Sequence, residues 1–266
     1  MLLQAQRQTP GRWTSSWPRR EGESRSEQAL YWLGRSVVAL CARTMLRMDM
    51  QWRALLPSGP KILAANHPTT TDPFLILTLL PEQISVLVTG GAFEIPGFGA
   101  YLRRAGHIPV IRDSGGATVR AAQAHLEAGR TMAIFPEGAL SPLAGGLGFH
   151  RPHSGVARLA LATGAPVIPV GIGLDPIKIR FVDVEVGVTS EEGRFYTGGP
   201  CAITVGGPMS FKGDVEDWDY VRLVSGRIMD RIAHLSRDSA GRIKPSPAVM
   251  PAPRMGHVGL SSADMD

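Results

Sequence analysis

The sequence predicts an α/β protein with a mostly parallel central sheet flanked by helices and an N-terminal amphipathic helical segment. Three observations predict it. From Lys61 onward, short apolar runs alternate with helix-length segments, the pattern of strands joined by crossover helices. The 266 residues suffice for one large domain, and the hydrophobic share of 44% and charged share of 19% are those of an ordinary globular protein. Ahead of the alternation lies an apolar stretch with arginines at helical spacing.

Taken in order, residues 1–26 are polar and rich in Arg, Ser and Gln, which predicts a disordered basic segment. Met1-Leu2-Leu3 soon gives way to polar residues, so the sustained apolar core of a signal peptide is missing. Glu27 to about Arg53 reads as a helix carrying Leu30, Tyr31, Leu33, Val37, Val38, Leu40, Cys41 and Met45. On a helical wheel Arg35, Arg43 and Arg47 fall within a sector of about 120°. Such a segment fits a helix lying in a membrane interface, and equally an amphipathic helix packed on its own domain. Strands are predicted at Ile62–Ala65, Ile84–Val88, Gly106–Ile111, Thr131–Phe135 and Val167–Ile172. Helices are predicted between them at Phe74–Leu80, Phe98–Ala105, Ala117–Ala128 and Gly155–Thr163. Ile179–Val186 and Ala202–Val205 read as further strands, antiparallel at an edge, and Val215–Leu235 as a closing helix. The main domain is thus expected over 27–237, with 27–56 its membrane-facing helical part and 238–266 a disordered tail rich in Ser, Pro and Gly.

Charge is unevenly placed. Up to Arg53 there are nine arginines against Glu21, Glu23, Glu27 and Asp49, which accounts for the whole formal charge of +5. A basic end on a neutral body suggests an anionic surface as partner, membrane or nucleic acid. No apolar run reaches the roughly 18 residues needed to span a bilayer. Cys41 and Cys201 match no metal or redox spacing and read as core thiols of a reducing compartment.

The chemistry gathers at strand ends, where open α/β sheets bind their ligands. Asn66-His67-Pro68-Thr69-Thr70-Thr71-Asp72-Pro73 joins the first strand to the first helix. Asp72 before Pro73 fits an N-cap followed by proline at the first helical position. Its carboxylate can cap the helix or reach the imidazole of His67, and in the second case it makes His67 a general base held in one tautomer. Gly106-His107-Ile108-Pro109-Val110-Ile111-Arg112-Asp113 ends a strand with an arginine, which either pairs with Asp113 at the surface or serves a ligand. Phe135-Pro136-Glu137-Gly138-Ala139-Leu140-Ser141 ends another with a carboxylate, a helix-entry acid or a site residue. Val167-Ile168-Pro169-Val170 is a buried strand interrupted by proline.

In this order the four blocks resemble the phospholipid/glycerol acyltransferase superfamily, of the lysophosphatidate acyltransferase (1-acylglycerol-3-phosphate O-acyltransferase) type. That family carries Asn-His-x-x-x-x-Asp, Gly-x-Ile-x-x-x-Arg, Phe-Pro-Glu-Gly-Thr-Arg-Ser and a Val-Ile-Pro-Val strand. Ile95-Pro96-Gly97-Phe98-Gly99 also resembles it, and the likeness covers roughly residues 30–235. The resemblance implies a glycerolipid acyltransferase-like fold and acyl transfer from a thioester, on coenzyme A or acyl carrier protein, to a lipid hydroxyl. It implies His67 as the base and Asp72 as its orienting carboxylate. It implies Asn66, Arg112, Glu137, Gly138 and Ser141 as residues of the acceptor site, with backbone N–H groups around Glu137 and Gly138 as oxyanion donors. No metal or cofactor is implied beyond the acyl-CoA or acyl carrier protein co-substrate. The expected partners are a membrane surface, a lipid acceptor and the acyl donor, with no nucleic acid, and the expected place is the cytoplasmic face of a membrane, held peripherally.

Two departures bear on the acceptor. Ala139-Leu140 replaces the family's Thr-Arg, and a lysine often found before the second block is here Thr89 or a neighbouring non-basic residue. Hydrogen bonds to charged groups contribute about 1.5–3 kcal/mol each. Their loss points to an acceptor other than plain lysophosphatidate, unless His150 or Arg151 substitutes. The alternatives are a thioester or lipid hydrolase and a non-catalytic membrane-binding protein. The hydrolase lacks a Gly-x-Ser-x-Gly element, and Ser154 of His153-Ser154-Gly155 reads as a helix cap.

Overall fold

The computed structural model describes residues 24–110, 115–142, 148–186 and 189–244. The expected disordered segment up to residue 23 and the tail from 245 lie outside the described residues. Helix α1 spans Arg25–Met45 and opens on a reciprocal cap, in which Ser24 Oγ accepts from the Glu27 N–H and Glu27 accepts from the Ser24 N–H. The helix stops eight residues short of the predicted Arg53. Leu46–Trp52 forms strand β1 instead, parallel to β9 (Gly199–Val205). The physical reason is in the residues: Leu46, Met48, Met50 and Trp52 alternate with Arg47, Asp49 and Gln51, the period of a strand.

The remaining strands are β2 (Ile62–Ala65), β3 (Ile84–Thr89), β4 (Ile108–Val110), β5 (Thr131–Ile134), β6 (Val167–Leu174), β7 (Arg180–Val186) and β8 (Thr189–Phe195). Seven of the nine form one sheet in the order β1-β9-β6-β2-β5-β3-β4. β6, β2, β5, β3 and β4 run parallel, while β9 is antiparallel to β6 and carries β1 with it. The sheet is therefore mostly parallel, as expected. β9 sits inside it between β6 and β1, not at an edge, and β7 pairs with β8 in a separate hairpin.

Alternate residues of the strands feed two cores. Leu63, Ala65, Val86 and Ala133 face one side with Tyr31 and Ala42 of α1 and Leu75–Leu77 of α2 (Asp72–Leu77). Ile62, Ala64, Met132 and Ile134 face the other, under α4 (Gly115–Glu127), α5 (Gly155–Thr163) and α6 (Trp218–Arg242). Helix α3 (Phe98–Arg104) precedes β4. The closing helix runs to Arg242, past the predicted end at Leu235. Its last turns are polar in sequence, yet Ser236 and Ser239 are fully buried. Ser239 Oγ donates to the Gly171 carbonyl at 2.9 Å, and Arg242 binds Asp49 and the Ile203 carbonyl. A Cβ on Gly171 would lie 2.1 Å from the Leu235 carbonyl carbon, so the small residues of β6 let the helix backbone sit directly on the strand.

Helix α1 is anchored by the fully buried Tyr31, whose hydroxyl accepts from the Ile84 N–H at 2.9 Å. The predicted arginine stripe is broken. Arg35 turns inward and donates to the Leu77 and Leu80 carbonyls at the end of α2, and Arg47 lies on β1. What faces outward is apolar: Leu33, Val37, Leu40 and Met45 are all more than half exposed. Cys41 is exposed there too, against the expectation of two core thiols, whereas burial pushes the Cys201 thiol up to about 12. No helix among the described residues is long and apolar enough to cross a membrane.

Candidate active site

β2 and β5 are neighbours, with Ile62 beside Met132 and Ala64 beside Ile134. Two turns therefore leave the sheet side by side at the carboxyl ends of these strands. The chain reaches β6 on the far side of β2 only after β5, so β2 marks the point where strand order reverses, where such sheets place ligands.

Asn66 continues the ladder where the backbone departs from it. Its Nδ2 donates to the Ile172 carbonyl at 2.9 Å and to Ser236 Oγ at 3.2 Å, and its Oδ1 accepts from the Ile172 N–H at 2.7 Å. This fully buried amide frees the next residue to turn out of the sheet. His67 Nδ1 lies 3.0 Å from Asp72 Oδ2. Its ring stacks on Phe135 with centroids 4.1 Å apart and 20° between planes, and its side chain is 17% exposed. No hydrogen bond to Nε2 forms among the described residues.

Asp72 is the first residue of α2, with Thr71 in the N-cap place, and of its two expected roles the carboxylate takes the second, reaching the imidazole and not capping the helix. It turns back instead. Oδ2 also accepts from the Thr69 N–H at 2.7 Å, and Oδ1 accepts from Thr69 Oγ1 at 2.6 Å. With 0% exposure and these donors in place, the carboxylate is fixed before any substrate arrives. A carboxylate on Nδ1 selects the tautomer with its proton there, leaving the Nε2 lone pair for an incoming hydroxyl.

Glu137 is buried as deeply but does something else. Its Oε1 accepts from the His67 N–H at 3.2 Å and from Ser141 Oγ at 2.7 Å, and its Oε2 accepts from the His150 N–H at 2.8 Å. Ser141 in turn donates its N–H to the His67 carbonyl at 2.7 Å. The carboxylate thus ties three loops together beneath the imidazole. Gly138 has a φ of +66°, and a Cβ there would meet the His153 ring at 2.7 Å. Its N–H donates to the Phe135 carbonyl at 3.1 Å, which removes it as the expected oxyanion donor. Arg151 is exposed two residues before His153. Arg112, the expected phosphate ligand, lies outside the described residues. His107 of the same block is a core residue: its Nδ1 accepts from the Val86 N–H at 3.2 Å, and burial holds its pKa down at about 4.

Three contributors were not singled out from sequence. Phe135 and Thr69 lie inside the motifs, and their signal was simple adjacency. Arg194 lies on β8, whose backbone exchanges bonds with Thr70: the Thr70 N–H donates to the Arg194 carbonyl at 2.7 Å, and the Arg194 N–H to Thr70 Oγ1 at 3.1 Å. Its Nη1 donates to the Ser141 carbonyl, which sets a guanidinium beside the Ala139-Leu140 departure. Nothing local in the sequence announces that pairing. Among the described residues no three His, Cys, Asp or Glu side chains gather as a metal site would need.

A family model described as Acyltransferase matches residues 47–173, which reach from β1 to β6. No curated protein matches the chain. Among solved structures, the 1-acyl-sn-glycerophosphate (LPA) acyltransferase of Thermotoga maritima is similar at 21% identity and a TM-score of 0.50, over 77% of this chain and 78% of that one. At that identity the likeness speaks to the fold.

Proposed function

We propose, from the match of residues 47–173 to the acyltransferase family model and the geometry of the site, that the chain moves a fatty acyl group from a thioester to the hydroxyl of a lipid acceptor. The observation that carries the mechanism is the His67 Nδ1–Asp72 Oδ2 contact, fixed from behind by Thr69 and from the side by Phe135. Nε2 takes the proton of the acceptor hydroxyl as its oxygen attacks the thioester carbonyl. The tetrahedral intermediate collapses with loss of the thiolate, and the imidazolium returns the proton to sulfur. Asp72 stabilises the imidazolium between these steps. Glu137, Ser141 and Asn66 act by positioning the turn that bears His67. The donor is coenzyme A or acyl carrier protein. Thiol release from a long-chain acyl thioester, dependent on acceptor and lost in His67→Ala, tests this; acceptor-independent hydrolysis would replace it with the hydrolase reading.

On the acceptor two readings compete, each on its own observation. Ala139-Leu140 removes an arginine, which favours a phosphate-free lysolipid or other lipid alcohol. The Arg194 guanidinium at Ser141 favours a phosphorylated one. Activity on lysophosphatidate that falls in Arg194→Gln, while activity on a monoacylglycerol does not, selects the second. The outward apolar face of α1 supports attachment to a membrane surface, at its cytoplasmic face, without crossing it. Replacing Leu33, Val37 and Leu40 by Ser should release the protein from vesicles.

A further inference from the structure

A concave feature lies away from His67, where the α1–β1 junction meets the base of the β7–β8 hairpin. It is a cleft of about 420 Å³ lined by Met45, Arg47, Lys178, Arg180, Thr197, Gly198 and Gly199. That volume falls in the range of small-molecule sites, roughly 300–1,000 Å³. Three of its lining residues are cations and none is an acid. They come from three separate elements: the start of β1, the short 3₁₀ turn Pro176–Lys178 and the start of β7. None of the three side chains forms a hydrogen bond or ion pair among the described residues. The acids nearby are already engaged, Asp49 with Arg242 at 2.7 Å and the buried Asp175 with the Ile177 N–H at 3.2 Å.

Converging unpaired like charges is unfavourable unless an anion relieves it. The floor suits such an anion. Gly198 and Gly199 present bare backbone, and a Cβ on Gly199 would lie 3.2 Å from Lys178 Cγ, so glycine there lets the lysine stem lie across the cleft. The cleft is also joined to the catalytic turn. Tyr196, next to Thr197, donates its N–H to Thr71 Oγ1 at 3.3 Å, and Thr71 adjoins Asp72. At 3.8 Å per Cα step, the path from Thr197 to Asp72 is roughly 15 Å.

We propose that this cleft is a phosphate-ester site serving the transfer reaction, with Arg47, Lys178 and Arg180 as its ligands; the assignment rests on the acyl-transfer reading above. Two participants carry such a group. One is the nucleotide end of a coenzyme A thioester, whose flexible arm can cover the distance to His67. The other is the headgroup of an anionic lipid, since Met45 and Ile177 expose apolar surface at the rim.

The full chain and its Arg47→Gln/Lys178→Gln/Arg180→Gln variant are compared in two arms. Calorimetric titration with adenosine 3′,5′-bisphosphate reads the first. Sedimentation with phosphatidylcholine vesicles, with and without phosphatidate, reads the second. A loss of about tenfold or more in bisphosphate affinity assigns the cleft to the donor, and a loss of the phosphatidate-dependent gain in vesicle binding assigns it to lipid. In either case the wild-type signal weakens with added salt. Equal behaviour of variant and wild type in both arms overturns the proposal. All three positions are exposed, and a circular dichroism spectrum matching wild type certifies the variant's fold. Both arms are read without turnover, and His67→Ala should bind as wild type does, so failure of the acyl-transfer reading leaves this result standing.

Discussion

The turns after β2 and β5 are alike in composition and opposite in use. Each follows a buried four-residue strand, each contains a proline, and each holds a carboxylate at most 2% exposed. Asp72 lends one oxygen to an imidazole whose other nitrogen faces outward, while Glu137 gives both of its oxygens to groups of the fold. A buried acid is therefore no functional signal by itself. What distinguishes the two is whether the acid's partner still has an atom free for chemistry.

The contrast can be broken most sharply at His67. His67→Ala should lower turnover by about 10²–10⁴-fold with little change in melting temperature, and Asp72→Asn should cost less. Normal turnover in His67→Ala would erase the difference between the turns. Glu137→Ala should show the reverse pattern. It leaves the Ser141 hydroxyl and the His150 N–H without their acceptor, while the His67 N–H keeps only Ser141 Oγ at 3.2 Å. At about 1–3 kcal/mol per buried unsatisfied group, a total near 3 kcal/mol lowers the melting temperature by roughly 6–12 °C. A variant that loses activity at unchanged stability would make Glu137 a direct participant.

His107 extends the comparison to an imidazole with no carboxylate. The unfolded state takes up its proton below the ordinary value of 6.5, the folded state only below about 4. The unfolded chain thus binds more protons between those values, and stability falls by about 3 kcal/mol as pH drops from 6.5 to 4. The nearby His125 acts in the same direction. His107→Asn, whose carbonyl can still accept from Val86, should flatten that slope in pH-dependent urea unfolding. The smallest expected effect is at Thr69. Thr69→Val removes the hydroxyl on Asp72 Oδ1 and should lower turnover about tenfold, against an estimated 1.5–3 kcal/mol for the bond. No effect would mean that the backbone N–H alone orients Asp72.

Much of this was legible because motif and strand end coincide. Ile62–Ala65 and Gly155–Thr163 are found at their predicted bounds, and His67 meets Asp72 as their spacing in a strand-to-helix turn allowed. β1 was legible in principle, since Leu46 to Trp52 alternates, yet the same residues also satisfied a helical wheel. β8 offered less. Its residues, Thr189 to Phe195, show neither an apolar run nor an apolar alternation in sequence. Arg194 and the Asn66–Ser236 contact were beyond reach for another reason: their partners lie 53 and 170 positions away, where local periodicity carries no information.

That last distance has a consequence for biosynthesis. Asn66 sets the departure of the turn that bears His67, and it does so against Ile172 and Ser236. A nascent chain can fold β2 and β5 together long before Ser236 has left the ribosome, but it does so with the amide of Asn66 only partly engaged. Competence should therefore appear late, when α6 closes over β6, and stalled or clipped chains lacking that helix should accumulate as inert protein.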